Sequence, residues 1–253
     1  MAPREEALTA RNVLLTGDGG NSINAYQVVS GEDGPRGGVV VIHHLPGWDS
    51  STKEITRTFA ANGYNAICPN LYAREGMDVD PDDAAAAARA KGGVPDEQLV
   101  GDVGGAIEAL RALPNASGKV GVIGYCSGGR QSFLTAVSLP VDAAVDCYGA
   151  FVTGTLPEGF PLKAVPLVDR TASLRCPLLG LFGAEDQYPS PEHVEELEQA
   201  LLAQHKTYEF HSYEGAGHAF FNTDRPSYRP EAALDGWRRI FSWFGTYLAA
   251  PEA

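Results

Sequence analysis

The sequence predicts an α/β protein with a mostly parallel central sheet of about eight strands and helices on both faces. Three observations predict it. Short apolar runs alternate with stretches of helical periodicity along most of the chain, as a parallel sheet covered on both faces requires. The run Lys119-Val-Gly-Val-Ile123 leads into Gly124-Tyr-Cys-Ser-Gly-Gly129 and then a helical pattern over Arg130 to Val137: strand, sharp turn, helix. An acid and a histidine follow that turn, each just beyond a strand-like run.

The elements follow in order. Asn12 to Thr16 and Ile23 to Val29 read as antiparallel strands joined by the turn-rich Gly17 to Ser22. No helix and no Gly-Lys-Ser/Thr follows those glycines, so they do not read as a phosphate loop. Gly38 to Ile42 is an all-apolar run, typical of a strand buried on both faces. Lys53 to Asn62 reads as a helix, and Asn65 to Cys68 as a strand stopped by Pro69. Leu99, Val103, Ile107 and Leu110 form the apolar stripe of a helix over Asp96 to Leu113. Strands are expected at Val141 to Tyr148, Cys176 to Phe182 and Lys206 to Tyr213, and helices at Pro191 to Gln204 and Pro230 to Leu248. Two long connections remain. Gly76 to Pro95 holds an alanine run, Ala84 to Ala88, expected as a short helix, and Ala150 to Arg175 is rich in Pro and Gly. Neither reads as a linker and no repeat is visible, so one domain over residues 1–253 is expected.

Bulk properties exclude several classes. The net charge of −13 argues against nonspecific binding to nucleic acid or an anionic membrane. No apolar run reaches membrane-spanning length, and the charged start Met1 to Leu8 lacks the apolar core of a secretory signal. Cys68, Cys126, Cys147 and Cys176 form no C-x-x-C pair and no zinc-site spacing. Reduced thiols in the cytoplasm are the simplest reading. Cys68, Cys147 and Cys176 lie in or beside apolar runs and read as packing residues.

Cys126 is different. It is the central residue of a G-x-Nuc-x-G turn, where small flanking residues let a strained backbone present the nucleophile. Gly183-Ala-Glu-Asp186 and Gly217-His218 follow at later strand ends, with room between them for a strand, a helix and loops. Nucleophile, acid, base is the chain order of the α/β-hydrolase fold. Glu185 is the alternative acid. Among the other histidines, His193 and His205 belong to a helix and its end, and His211 to a strand; only His218 sits in a Gly-flanked loop after a strand. The imidazole would favour the thiolate and the aspartate would orient the imidazole. An oxyanion would need two backbone N–H donors, expected from Ser127 and from Leu45 in the loop His43 to Trp48, since Pro46 has no N–H. Adjacent His43 and His44 point to opposite faces of a strand with no carboxylate to complete a set, so no metal is expected. His44 reads as a hydrogen-bonding or proton-transfer group at the cleft, and Trp48 as a pocket or packing residue.

With these residues placed, the chain resembles the dienelactone hydrolase family (carboxymethylenebutenolidases) over roughly residues 10 to 250. The resemblance rests on Gly124 to Gly129, Pro69-Asn-Leu-Tyr-Ala-Arg74, Tyr148-Gly149, Gly183 to Pro189 and Gly217-His-Ala-Phe220, in that family's motifs and order. It implies hydrolysis of enol-lactones or related small-molecule esters, without a cofactor, through a thioacyl enzyme. It implies the triad Cys126, Asp186 and His218, with Arg74 on a substrate carboxylate. The best-known members carry a glutamate where this chain has His44, and a second arginine at the position that looks like Asn222 here, with Arg225 three residues on. The segment Ala150 to Arg175 also looks longer than in the family. The same site acting on a thioester, amide or organophosphate, or a non-catalytic thiol sensor on this scaffold, are the alternatives. Oligomeric state is not legible.

Overall fold

The computed structural model describes residues 8–31 and 33–249. The charged N-terminal segment, read above as no secretory signal, lies outside them except for Leu8. Eight strands form one sheet: β1 (Leu8–Thr16), β2 (Ser22–Ser30), β3 (Arg36–Ile42), β4 (Asn65–Pro69), β5 (Ala116–Tyr125), β6 (Ala143–Cys147), β7 (Leu178–Gly183) and β8 (Tyr208–Tyr213). Their spatial order is β1-β2-β4-β3-β5-β6-β7-β8. β1 pairs antiparallel with β2, and β2 with β4; every other pairing is parallel. Six helices complete the fold: α1 (Ser50–Ala61), α2 (Pro81–Ala90), α3 (Asp96–Arg111), α4 (Ser127–Ser138), α5 (Pro191–Ala203) and α6 (Pro230–Tyr247). This is the α/β-hydrolase architecture expected from the sequence.

The period-two alternation of the strands divides the core in two. Val40, Ile42, Val122 and Leu178 face α3, α4 and α5 through Val103, Ile107, Phe133 and Leu201. Val39, Val41, Leu179 and Leu181 face α1 and α6 through Phe59, Ile240 and Phe244. The alanine run of α2 instead packs on Tyr72 at the sheet's rim, in a small separate cluster.

A cap and a strand pairing move two boundaries. α1 starts at Ser50 and not Lys53 because Asp49 accepts from the Thr52 N–H, satisfying an otherwise unpaired donor of the first turn (2.8 Å). β5 starts three residues before the apolar run because Ala116 pairs with Arg36.

The chain runs from β3 out to β4 and then returns to β5 on the other side of β3. Such a reversal opens a crevice at the carboxyl ends of the two strands. Ile42 and Gly124 end the β3–β5 register. The loop carrying Leu45 and the turn carrying Cys126 therefore leave the sheet side by side.

Candidate active site

Cys126 joins β5 to α4 with φ 58° and ψ −123°, a left-handed conformation that costs a non-glycine residue energy. The turn is tied down on both sides: the Cys126 N–H donates to the Cys147 carbonyl (3.0 Å), and the Gly129 N–H donates to the Cys126 carbonyl (2.9 Å). The flanking glycines are steric requirements. A β-carbon on Gly124 would overlap the Gly128 backbone, and one on Gly128 would overlap the Ile42 carbonyl.

Asp186 lies just beyond β7 and His218 just beyond β8. The two loops are stitched together by the Glu185 N–H donating to the Ala216 carbonyl (2.9 Å). His218 Nδ1 lies 2.8 Å from Asp186 Oδ2, and the other Asp186 oxygen accepts from the Tyr188 N–H (2.9 Å). The Asp186 side chain is only 2% exposed. Glu185, the alternative acid, is exposed. The Cys126 side chain lies close enough to act on the same imidazole. Burial works against the imidazolium. The hydrogen bond to Asp186, the Cys126 side chain and the charges behind them outweigh it, and the His218 pKa is pushed up to about 10. A value raised from 6.5 contributes stability that is complete below about pH 6.5 and is lost as pH rises through about 10.

Leu45, Cys126, Ser127, Asp186 and His218 all border one cavity of about 470 Å³. The peptide supplying the Leu45 N–H is held by its other end. His43 Nδ1 lies 2.9 Å from the His44 carbonyl, which also accepts from the Gly47 N–H (3.0 Å). A trans peptide directs its N–H away from its C=O, so these bonds aim the Leu45 N–H. The second nitrogen of His43 accepts from the Leu71 N–H (3.2 Å), which makes Nδ1 the donor. Burial pushes the His43 pKa down to about 4, against its backbone hydrogen bond, so the ring is neutral at pH 7.

The three residues expected to bind substrate are not on this cavity. Arg74, expected on a substrate carboxylate, has its guanidinium on the protein's own groups: two bonds to Asp102 (2.7 and 3.0 Å), a side chain with 0% exposure, and a third to the Asp18 carbonyl. Trp48 is a packing residue, buried at 7% exposure, with its indole N–H donating to the Cys68 carbonyl (2.9 Å) and Lys53 over its ring. His44 pairs with Asp49 (2.7 Å), so a carboxylate does meet this histidine, contrary to the sequence reading. Among the described residues, however, no group of three or more His, Cys, Asp or Glu side chains could hold a metal ion. His44 borders a second cavity of about 470 Å³, which also reaches Cys126 and is rimmed by Asn222.

Sequence reasoning missed most of the lining of the first cavity: Tyr72, Phe151, Phe160, Leu162 and Tyr188. The available signal was the long Pro- and Gly-rich segment 150–175, which folds over the site and supplies three of them.

The chain matches the dienelactone hydrolase family over residues 23–248. It belongs to that family. It is 33% identical over 209 residues to the carboxymethylenebutenolidase of Pseudomonas putida, covering 80% of this chain and 83% of that protein. A crystal structure from Klebsiella pneumoniae, provisionally named a dienelactone hydrolase, superposes with a TM-score of 0.83 at 32% identity, covering 96% of this chain and all of that one. A dienelactone hydrolase-like promiscuous phosphotriesterase from metagenomic libraries shares the fold at 24% identity, with a TM-score of 0.76 over 96% of this chain and all of that one. The chain is accordingly a dienelactone hydrolase-like hydrolase acting on ester or lactone bonds of small molecules. None of its described helices is long and apolar enough to cross a membrane.

Proposed function

We propose that this single-domain member of the family hydrolyses carboxylic esters and lactones through a thioacyl enzyme at Cys126. One observation carries the reading: His218 is bonded through Nδ1 to the Asp186 carboxylate and borders the same cavity as Cys126, whose side chain acts on the same imidazole. The raised His218 pKa suits an imidazolium paired with a thiolate.

In the first half-reaction the Cys126 sulfur adds to the substrate carbonyl carbon, and the oxyanion accepts from the Leu45 and Ser127 N–H groups. Ser127 begins α4, so the partial positive charge of that helix end adds to the same site. Collapse breaks the carbonyl carbon to ester oxygen bond, and the leaving oxygen takes the proton from His218. In the second half-reaction neutral His218 takes a proton from water as that water attacks the thioester. The sulfur leaves as thiolate, and the proton stays on the imidazole. The products are one carboxylic acid and one alcohol, which remain joined as a hydroxy acid when the substrate is a lactone. Asp186 holds the ring and stays ionised throughout.

The test is Cys126→Ala assayed with short p-nitrophenyl esters. The expected loss of kcat/KM exceeds about a thousandfold. Unchanged turnover would remove Cys126 from the chemistry.

A further inference from the structure

We infer that the cavity beside Cys126 selects an uncharged ester or lactone carrying an aromatic group, and rejects one carrying a carboxylate. This rests on the ester-hydrolase reading above and names the substrate class for the same site.

The first ground is the wall of the cavity. Leu45, Val94, Phe151, Phe160, Leu162 and Tyr188 line it. Phe151 stands between Phe160 and Tyr188, with ring centroids 5.4 and 5.5 Å away. Phe151 is itself held at φ 64°, strained for a non-glycine residue, so the surrounding structure imposes this position. Phe160 and Tyr188 remain 38% and 39% exposed, which leaves two large aromatic side chains incompletely covered at the cavity. A flat apolar group would cover them, with ring-on-ring contact adding to the area term. The volume, about 470 Å³, takes a molecule of that size.

The second ground is charge. Among the described residues, two lysine or arginine side chains border the cavity, Arg130 and Lys163. Arg130 is charge-paired: it makes two bonds to Asp96 (2.8 and 2.9 Å) and one to the Val165 carbonyl (2.8 Å), which leaves its buried Nε–H as the one guanidinium group without a partner. Lys163 is exposed, with its stem laid along Gly92. With the protonated His218 these make three cations, matched by three carboxylates on the same wall, Asp96, Glu185 and Asp186; Asp96 pairs with Arg130 and Asp186 with His218, so no positive excess remains. Arg74, the one residue expected to greet a substrate carboxylate, is bound to Asp102. A carboxylate entering this site would give up its hydration where each buried cation among the described residues is already paired with a carboxylate of the protein.

The experiment pairs methyl 3-phenylpropanoate with monomethyl glutarate, which share a leaving group and differ in the distal phenyl or carboxylate. Acid release at constant pH should give the phenyl ester at least about a tenfold advantage in kcat/KM, expressed mainly in KM. Phe160→Ala and Tyr188→Ala should each shrink that ratio several-fold by raising KM for the phenyl ester. Both side chains are more than a third exposed, so the variants are expected to fold, and a thermal melt checks it.

A second measurement needs no turnover. 3-Phenylpropanamide should protect Cys126 from iodoacetamide, and glutarate at equal concentration should not. Equal or better use of the glutarate ester, a ratio untouched by both variants, or protection by glutarate overturns the inference. If Cys126→Ala keeps full activity while 3-phenylpropanamide still binds, the thioacyl reading at Cys126 fails and the aromatic selectivity stands.

Discussion

At the scale of single residues, strain gathers around the site. Four of the five described non-glycine residues with positive φ are Cys126, Tyr148, Phe151 and Ala219, all bordering one of the two cavities that meet at Cys126. Such conformations persist only where the surroundings enforce them. His43 is part of that enforcement, since it aims the Leu45 peptide through the His44 carbonyl. Its pKa, pushed down from 6.5 to about 4 by burial, means that the unfolded chain binds the proton more readily. The stability this lends is complete above about pH 6.5 and is lost as pH falls toward 4, up to about 3 kcal/mol. Denaturant melts should therefore show the wild type losing stability faster than His43→Ala between pH 6.5 and 4.5. At pH 7.5 the same variant should lose about tenfold in kcat with little change in KM, because an oxyanion donor is no longer held in place. Parallel melting curves with an unchanged kcat would remove this role from His43.

At the scale of elements, the pair Arg74 and Asp102 ties three pieces together. Asp102 belongs to α3, Arg74 follows β4, and Asp18 sits in the β1–β2 turn, where its N–H also donates to Asp102 (2.9 Å). Glycines bring these pieces close: a β-carbon on Gly105 of α3 would overlap the Thr16 carbonyl. Arg74→Ala leaves the Asp102 carboxylate buried without its counter-charge. The expected cost is about 3 kcal/mol, at the low end for such a loss because the Arg74 side chain is 25% exposed. Thermal melting should show the loss, while KM for a carboxylate-bearing ester stays as in the wild type. A raised KM for that ester at an unchanged melting temperature would return Arg74 to substrate binding.

At the scale of the whole molecule, the sheet and the order of the site were legible because both rest on local pattern. Apolar runs bounded by turn residues gave all eight strands, and the three strand-end positions, Cys126, Asp186 and His218, lie where the carboxyl edge of a parallel sheet collects them. What local pattern does not carry is the choice of partner. Arg74, His44 and Trp48 are residues a binding site could use, and each is taken by a group that the chain's own sequence does not mark: Asp102 on a distant helix, Asp49 doubling as the cap of α1, and the Cys68 carbonyl of a neighbouring strand. The aromatic wall was hidden for a similar reason. Phe151 and Phe160 lie in a segment without periodicity, and only its fold over the sheet edge brings them to Tyr188.

The central claim is that the sulfur of Cys126 carries the acyl group during turnover. Rapid acid quench of the enzyme with a p-nitrophenyl ester, followed by peptide mass spectrometry, tests it most directly. The account predicts the mass of the acyl group on the peptide containing Cys126, absent from the peptides of Cys68, Cys147 and Cys176 and lost on incubation with hydroxylamine. Steady hydrolysis with Cys126 unmodified at every quench time, or the acyl mass on Ser127 instead, would contradict it.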